Sequence, residues 1–386
     1  MEIKTELIEY FGDTGNEIKV AKAPGRVNLI GEHTDYNDGF VLPIAIDREI
    51  TMAAQARDDQ KVRVYSLDFE TEESFKVNNI SYNEEANWIN YIQGVAKMIQ
   101  AEGYELRGMN LILTGNIPQG AGLSSSAALE VATAVILELV NGFKLDRVRL
   151  AELCQQAEND FVGVSCGIMD QFISALGKKD NALFIDCRSN DYQLVPIEIA
   201  NTKIIIANTN VEHSLVDSAY NQRLEECQKA VDELGNYLAK DITALRDVTI
   251  AEFEEHKAKL SDVVRKRAEH VIYENNRVKQ TVDGLKNGRL KEVGKLMQQS
   301  HQSLSNLYEV SCEELDIMVD LALELDGVLG SRMTGAGFGG CTVSLVKADA
   351  VDEFKRKVSQ GYLEKTGIET DIYVCNIEDG AHELTI

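Results

Sequence analysis

The chain has 386 residues, of which 44 % are hydrophobic and 26 % are charged, so its composition is that of a globular protein and excludes disorder as its main state. At about 100–200 residues per domain, this length predicts two domains. The 63 acidic and 39 basic residues give a formal net charge of −24, which disfavours nucleic acids and anionic membranes as partners. An anionic substrate would need a local device to hold it, such as a metal ion or a helix N-terminus.

The first residues and the cysteines predict a cytoplasmic protein. The acidic start of the chain lacks the apolar segment of a signal peptide, and no apolar run approaches the roughly 18 residues of a membrane span. The seven cysteines are scattered without any C-x-x-C pair, which favours reduced thiols over disulfides or a zinc site. We expect no membrane association and no obligate protein partner, and the acidic surface is compatible with a monomer.

The first half of the chain alternates between predicted strands and helices. Amphipathic patterns predict helices at 3–11 and at 88–99, the second ended by Gly103. Further helices are predicted at 124–140 and 153–161. The predicted strands of this half lie at 18–22, 51–57, 61–66, 74–77 and 109–114.

The second half is predicted to be helical in its middle and to return to strands at its end. A short apolar strand at 203–208 precedes a mostly helical stretch at 215–326. Strands at 342–346 and 371–374 then flank a helix at 351–362. This order predicts two α+β domains that meet near residue 195.

The densest motif spans 24–36, between glycines at its start and just beyond its end. Its charged or imidazole side chains are those of Arg26, Glu32, His33 and Asp35. Such groups can converge on a polyhydroxylated ligand, because carboxylates and imidazole bind hydroxyls. The alternative is a solvated turn, which the apolar character of residues 27–30 disfavours.

A second motif, at 118–127, lies between a predicted strand and a predicted helix. Gly120 and Gly122 let the backbone approach a ligand, and Ser124–Ser126 place free N–H groups and the positive end of a helix dipole where phosphate can bind. A serine hydroxyl there can also reach Mg²⁺. The alternative is a helix cap, but three serines exceed what capping needs. The chain has no Walker A loop.

The third motif, at 334–341, satisfies G-x-G-x-x-G but is followed by a predicted strand. A dinucleotide-binding fingerprint must open a helix, so that interpretation fails. The absence of H-R-D and D-F-G tripeptides excludes a protein kinase. Two interpretations stay open: a Gly-rich hairpin packed against a ligand or another loop, and a tight turn with no ligand.

Two acidic residues complete the candidates, and each has an ordinary structural interpretation. Asp170 lies at a predicted helix start, where an acidic side chain complements the helix dipole. Glu158 lies beside an apolar helical stripe, and most such residues belong to solvated helix faces. Only the surrounding motifs make them candidates for chemistry.

At these motifs the chain resembles the galactokinases, in the GHMP small-molecule kinase superfamily. The block 25–36 is similar to the galactokinase signature, 118–127 to the superfamily's phosphate-binding loop and 335–340 to its third motif. The motifs follow the family order, and the similarity extends over nearly the whole chain. One departure is Asp38, where many relatives carry a glycine, but Gly39 is retained.

The resemblance implies a fold and a reaction. The fold is an α+β, two-domain GHMP kinase fold, with a ribosomal protein S5 domain 2-like N-terminal domain (1–195), a ferredoxin-like C-terminal domain (196–386) and the active site in the cleft between them. The reaction is transfer of the γ-phosphate of MgATP to the C1 hydroxyl of α-D-galactose. ATP as co-substrate, Mg²⁺ and galactose are therefore the expected partners.

The resemblance also implies a role for each matching residue. Asp170 matches the catalytic base and Arg26 the residue beside it, and Ser126 and Glu158 match the Mg²⁺ ligands. The sugar contacts match Glu32, His33, Thr34, Asp35, Gly167 and Tyr220. The ATP contacts match Ser66, Gly120, Ala121, Gly122, Leu123, Ser124, Ser125 and Ser126.

The residues leave two roles in the transfer open: Asp170 could accept the hydroxyl proton, or Arg26 could stabilise the developing alkoxide. Two rival functions also stay open, a non-catalytic galactose and ATP sensor on the same scaffold and a kinase of a related sugar such as N-acetylgalactosamine. The complete Ser124–Ala127 run, together with Asp170 and Glu158, disfavours the sensor.

Overall fold

The computed structural model describes residues 2–164, 166–198, 201–211 and 216–385, with side chains described outside 216–220. Within these ranges the α-helices are α1 (Glu2–Phe11), α2 (Ile89–Ala101), α3 (Ser125–Asn141), α4 (Arg147–Gln156), α5 (Met169–Leu176), α6 (Val216–Gly235), α7 (Ile250–His256), α8 (Asp262–Lys286), α9 (Leu290–Ser303), α10 (Glu313–Leu323) and α11 (Val351–Thr366). The strands are β1 (Lys19–Asn28), β2 (Phe40–Val41), β3 (Pro43–Ala56), β4 (Lys61–Ser66), β5 (Thr71–Lys76), β6 (Met109–Gly115), β7 (Asn181–Asp186), β8 (Asp191–Pro196), β9 (Thr202–Asn208), β10 (Val328–Thr334), β11 (Cys341–Lys347), β12 (Asp371–Cys375) and β13 (His382–Glu383). No helix in the described part of the chain combines the length and the apolar character that a membrane span requires.

The N-terminal half builds a sheet with the order β13-β1-β3-β6-β4-β5 among the described residues. Its neighbours are antiparallel except for the parallel pair β4 and β6. Helix α3 is apolar around most of its circumference, so it is buried on several sides. It packs against β1 and β3 on one side and against α2, α4 and α5 on the others. The first turn of this helix is thereby held firmly at the edge of the core.

Strand β1 attaches the first motif to the second. Its pairing with β3 shifts register between Pro24 and Arg26 and then continues to Asn28. The first part of the 24–36 motif is therefore strand. A Cβ added to Gly25 would lie 2.6 Å from the carbonyl oxygen of Leu123, and the Arg26 N–H donates to that same oxygen at 3.1 Å. Glycine is required at position 25 because the strand and the 118–126 loop pass so close to each other.

The C-terminal half contains a second, antiparallel sheet with the order β10-β11-β9-β12. When its strands are numbered 1 to 4 along the chain (β9, β10, β11 and β12), their order across the sheet is 4-1-3-2, as in a ferredoxin-like fold. The centre of strand β9, residues 204–207, is apolar because both faces of the sheet are covered there. Ile205 and Ala207 pack with α10 and α11, whereas Ile204 and Ile206 join the main core.

Helices α6, α7 and α8 form a separate layer beside the first motif. Side chains of α6, α7 and α8 share a core that includes Leu234, Phe253, Val271 and Tyr308. Helix α8 also contacts the small sheet β2-β7-β8. This layer completes the walls around the first motif.

The predicted strands and helices named above are present, most with boundaries that differ by a few residues, but β1 extends six residues beyond its predicted end and β3 begins eight residues before its predicted start. The predicted helix at 153–161 is divided: α4 ends at Gln156, and a π-helical turn follows at Ala157–Val162. Five strands escaped prediction: β7, β8, β10 and the two-residue strands β2 and β13. Strand β8 is largely exposed and β10 carries buried polar side chains, so neither has an apolar run. The boundary between residues 195 and 196 stays a prediction.

Candidate active site

A cavity of about 310 Å³ lies where the first motif, the segment 163–170 and the 334–341 hairpin meet. Six of the residues singled out from the sequence line it, namely Arg26, Glu32, His33, Asp35, Gly167 and Asp170. The hairpin contributes Gly335 and Ala336 to the wall. The cavity therefore combines charged side chains from the first half of the chain with the hairpin backbone and the polar side chain of Asn221 from the second half.

The Asp170 carboxylate accepts three hydrogen bonds from two side chains. Its Oδ1 accepts from Arg26 Nε and its Oδ2 from Arg26 Nη2, both at 2.7 Å, and the Ser124 hydroxyl donates to Oδ2 at 2.5 Å. Arg26 Nη1 donates to the carbonyl oxygen of Gly122 at 2.7 Å. Arg26 thus joins Asp170 to the 118–126 loop, and this bidentate geometry fixes the orientation of the carboxylate at the cavity wall.

Asp35 and Gly167 are in direct contact across the cavity wall. A Cβ added to Gly167 would lie 2.0 Å from Asp35 Oδ2, so only glycine lets the carboxylate occupy its place. Burial, followed by the charge of Asp170, raises the pKa of Asp35 to about 6. Near pH 6 Asp35 is therefore a titrating acceptor.

Glu32 connects the two halves of the chain. Its Oε2 is paired with Arg332 Nη1 at 2.6 Å and accepts from Asn28 Nδ2 at 2.9 Å. Its Oε1 accepts from the Gly335 N–H at 3.1 Å, and the Thr334 hydroxyl also lies 3.1 Å away. Burial raises the pKa of Glu32, and Arg332 opposes that shift. Both oxygens of this predicted sugar contact are therefore engaged within the protein as well.

His33 is a neutral imidazole at physiological pH. It has φ 62°, and its ring nitrogens contact the Ala336 carbonyl (Nε2, 3.1 Å) and the Tyr36 hydroxyl (Nδ1, 2.8 Å). A carbonyl can only accept, so Nε2 carries the proton. Burial and the neighbouring His270 lower the pKa of His33 to about 3.

The two other side chains predicted to contact the sugar are those of Thr34 and Tyr220. Thr34 is fully buried, and its hydroxyl lies 2.8 Å from the carbonyl oxygens of both Gly31 and Phe40. These contacts brace the turn that carries His33 and Asp35. The side chain of Tyr220 lies outside the part of the chain that the structure describes.

The 118–126 loop turns tightly, with three of its residues in the left-handed region of the backbone. Gly120, Gly122 and Ser124 have φ values of 67°, 70° and 62°. Ser124 precedes α3, but its hydroxyl makes no capping bond and donates to Asp170 instead. The interpretation as a simple helix cap is therefore wrong for Ser124. Ala121 and Leu123 are buried and anchor the loop to the core.

The hairpin between β10 and β11 supports this loop from behind. Cβ atoms added to Gly335 and Gly340 would lie 3.5 Å from the carbonyl oxygens of Gly122 and Ala121, respectively. The hypothesis of a Gly-rich hairpin that packs against another loop is thereby confirmed. Gly335 and Gly340 have φ values of 87° and 76°, and this left-handed backbone is the reason that the turn favours glycine there.

A second cavity, of about 410 Å³, lies beside the same loop and includes Gly120, Ser125 and Ser126 in its wall. Its aromatic residues, which the sequence reasoning did not single out, are Phe69, Trp88 and Tyr91. Trp88 and Tyr91 are three residues apart at the start of α2, a spacing that is as typical of a core stripe as of a binding site. Ser66 is buried and does not line this cavity, but its hydroxyl accepts from the N–H of Phe69, which does, at 3.3 Å.

Ser126 and Glu158 lie together at the foot of α3. Glu158 is mostly buried in the π-helical turn, and the nearby Ser126 hydroxyl favours its charged form. Burial raises the pKa of Glu158. The described residues contain no group of three His, Cys, Asp or Glu side chains that could hold a metal. A hydroxyl and a carboxylate nevertheless suit Mg²⁺, which fills its remaining positions with phosphate oxygens and water.

Three family models match the chain. "GHMP kinases N terminal domain" matches residues 90–178, "GHMP kinases C terminal" matches 281–364 and "Galactokinase galactose-binding signature" matches 6–56. The first contains the 118–126 loop and Asp170, and the last contains the 24–36 motif. These matches confirm the predicted two-domain α+β fold.

Whole-length relatives agree with the family models. The galactokinase of Fusobacterium nucleatum is 46 % identical over 383 residues, which cover 98 % of this chain and 97 % of that protein. The crystal structure of Lactococcus lactis galactokinase complexed with galactose has a TM-score of 0.94 and 39 % identity, with 99 % of both chains covered. Methanococcus jannaschii mevalonate kinase shares the fold alone, with a TM-score of 0.66 and 20 % identity over 94 % of this chain and 99 % of that one.

Proposed function

This chain belongs to the galactokinase family, and from that membership we propose that it transfers the γ-phosphoryl group of ATP to the C1 hydroxyl of α-D-galactose, giving galactose 1-phosphate and ADP. It is an ATP-dependent sugar kinase. The observation that carries the proposal is the arrangement of two cavities about one loop. The paired Arg26 and Asp170 face one cavity, and the serines of the phosphate-binding motif face the other.

We place the sugar in the cavity lined by Asp35 and Asp170. Asp35 offers a carboxylate acceptor whose position is set by contact with Gly167. Glu32 and His33 supply further polar wall, and their contacts within the protein hold them in place. A carboxylate in a fixed position distinguishes epimeric hydroxyls, because the wrong epimer leaves a buried charged acceptor unpaired.

The second cavity suits the nucleotide. Phe69, Trp88 and Tyr91 offer apolar surface to a base. The glycines of the 118–126 loop and the start of α3 offer N–H groups and a favourable dipole to the phosphates. Ser66 supports this site by holding Phe69 rather than by lining the cavity.

Ser126 and Glu158 are the residues that would hold Mg²⁺ beside the phosphates. Bound there, Mg²⁺ would neutralise phosphate charge during the transfer. Among the described residues, no further acidic or hydroxyl side chain needs to be recruited, since Mg²⁺ keeps substrate oxygens and water as its other ligands.

In the transfer step the C1 oxygen forms a bond to the γ-phosphorus while the bond from that phosphorus to the bridging oxygen breaks, and ADP leaves with the bond's electron pair. The C1 hydroxyl proton goes to Asp170, whose carboxylate is oriented by Arg26 and Ser124. Arg26 lies close enough to Asp170 to stabilise negative charge that develops on the C1 oxygen. Both roles use the same ion pair.

A coupled assay of ADP formation with a panel of sugars tests this function. We expect turnover with galactose and MgATP. Binding of galactose and ATP without turnover would favour the sensor, and faster turnover of N-acetylgalactosamine would favour the related kinase. Location in the cytoplasm and the monomeric state stay predictions from the sequence.

Asp35→Ala is expected to reduce the preference for galactose over glucose, chiefly by lowering kcat/KM for galactose. Losing a charge-assisted hydrogen bond costs about 1.5–3 kcal/mol, or about ten- to a hundredfold in kcat/KM. Steady-state kinetics with both sugars measure this change. An unchanged kcat/KM for galactose would place the selectivity on other residues.

Lowering the pH below about 6 is expected to decrease kcat/KM for galactose. As the pH falls through about 6, Asp35 takes up a proton and loses its anionic acceptor, so kcat/KM for galactose decreases. The stability of the fold changes in the opposite direction. As the pH rises through about 6, the buried Asp35 carboxyl ionises and the free energy of unfolding decreases, so acidification stabilises the fold while it lowers kcat/KM. Asp35→Asn should remove the acid limb of the pH profile. If the limb persists in that variant, another group is titrating.

A further inference from the structure

The residue after Asp170 connects two buried carboxyl groups. The Gln171 side chain is fully buried, and its Nε2 donates to Glu158 at 2.6 Å and to Glu130 at 3.0 Å. An amide nitrogen carries two protons, so these two bonds use both. Gln171 is thus the direct link between Glu130, on α3, and Glu158, in the π-helical turn.

The bond from Gln171 is one of two that hold the Glu158 carboxylate. Gln171 and the Cys166 thiol both donate to Glu158 Oε2, the thiol at 3.2 Å. The nearby Ser126 hydroxyl favours the charged form of the same carboxylate. Because Oε2 is occupied by two internal donors, the orientation of the carboxylate is set before any ligand arrives.

Glu130 anchors the other side of the amide. It lies one helical turn after Ser126 and is fully buried, and its Oε1 has no partner among the described residues. The Gln171 Oε1 is likewise buried and without a partner among the described residues. Burial and the charge of Glu158 raise the pKa of Glu130 well above its usual range. Such a buried acid and amide cost stability, so a purely structural core would be better served by apolar side chains.

We propose that Gln171 is a positioning residue: its amide, anchored on Glu130, fixes the Glu158 carboxylate beside the Ser126 hydroxyl so that both can bind the Mg²⁺ that accompanies ATP. This inference rests on the proposed function, in which Ser126 and Glu158 are the metal ligands. Side chains that orient metal ligands typically contribute about 10- to 100-fold to metal affinity or activity.

The only tryptophan of the chain, Trp88, lines the nucleotide cavity, so its fluorescence can report ATP binding without turnover. Each protein is titrated with ATP in excess Mg²⁺ and again in EDTA. We expect Gln171→Met to reduce the gain in ATP affinity that Mg²⁺ provides by about 10- to 100-fold. ATP affinity in EDTA, and galactose binding, should stay unchanged.

Gln55→Met is the matched control, because Gln55 is also a fully buried glutamine but bonds Gly12 and Thr14, which line neither cavity. It should keep the wild-type response to Mg²⁺. Glu130→Gln retains an oxygen acceptor for the amide and should also keep that response, whereas Glu130→Met should lose it.

An equal loss of ATP affinity with and without Mg²⁺ in Gln171→Met would show a merely structural role and overturn the inference. An unchanged response to Mg²⁺ in that variant, or the absence of any gain from Mg²⁺ in the wild type, would overturn it as well. Turnover of galactose by the wild type is scored separately. If turnover is absent while the Mg²⁺ gain depends on Gln171, the proposed reaction fails and the positioning role stands.

Discussion

Asp170→Asn is expected to lower kcat by about 10²–10⁴-fold, the range that a general base supplies. Asparagine keeps the size of the side chain and can accept one of the two Arg26 bonds, but its amide nitrogen cannot accept the second or take the C1 proton. The fold and galactose affinity should be retained, because the Asp35 contact with Gly167 is untouched. The measurements are kcat at saturating galactose and MgATP, and galactose binding by calorimetry.

Asp160→Asn provides the control, since Asp160 is exposed in the neighbouring π-helical turn and should leave kcat unchanged. A kcat for Asp170→Asn within a few-fold of wild type would remove Asp170 from the mechanism. Arg26→Gln removes the positive charge near the C1 oxygen and also the two donors that orient Asp170. A further loss of kcat when Arg26→Gln is added to Asp170→Asn would therefore show that stabilising the alkoxide contributes in addition to accepting the proton.

Arg332→Met is expected to give the largest loss of stability. Arg332 is fully buried on β10, and its Nη1 pairs with Glu32 at 2.6 Å and donates to the Asn28 carbonyl at 3.1 Å. Removing one partner of a buried ion pair leaves an uncompensated charge and costs about 3–5 kcal/mol. Its Nε and Nη2 have no partner among the described residues, so we expect the lower end of that range. The free energy of unfolding in urea measures the loss.

The pH dependence identifies Glu32 as the cause of this loss. Without Arg332, burial raises the pKa of Glu32 further, so the destabilisation should be largest near neutral pH and should shrink as Glu32 takes up its proton at lower pH. Arg289→Met is the matched control, because Arg289 pairs with Asp283 at the surface, where such pairs contribute about 0–1 kcal/mol. Equal losses in the two variants, or a loss at Arg332 that does not vary with pH, would contradict this explanation.

The chemical groups of the site could be read from the sequence because they lie in compact segments. The glycines and serines of the 118–127 motif are enough to predict a tight turn before a helix, since positive φ values and a helix start are local properties of the backbone. The alternation of strands and helices was predictable for the same reason. Strands β8 and β10 were missed because the first is mostly exposed and the second places Ser331 and Arg332 in the core.

The pairing of Arg26 with Asp170 shows where local information ends. The two residues are 144 positions apart, and their bidentate contact depends on the packing of α5 against β1. The resemblance to a family suggested both residues, but their geometry, and the donation from Ser124, come from the assembled chain. Glycine at 167 likewise has no local reason, because the atom that excludes a side chain there belongs to Asp35.

The sequence by itself determined the two-domain α+β class and the Gly- and Ser-rich loop at a helix start, because glycine-dependent turns, helix starts and apolar periodicity depend on neighbours along the chain. The roles predicted for Asp170 and Glu158 came from the resemblance to a family. Only the tertiary structure decided which charges are buried and what accompanies them. It paired Glu32 with Arg332, placed Gln171 between two carboxyl groups and exposed Trp88 to a cavity. Burial and the electrostatic environment of a side chain are set by elements that are distant in sequence, so no local pattern records them.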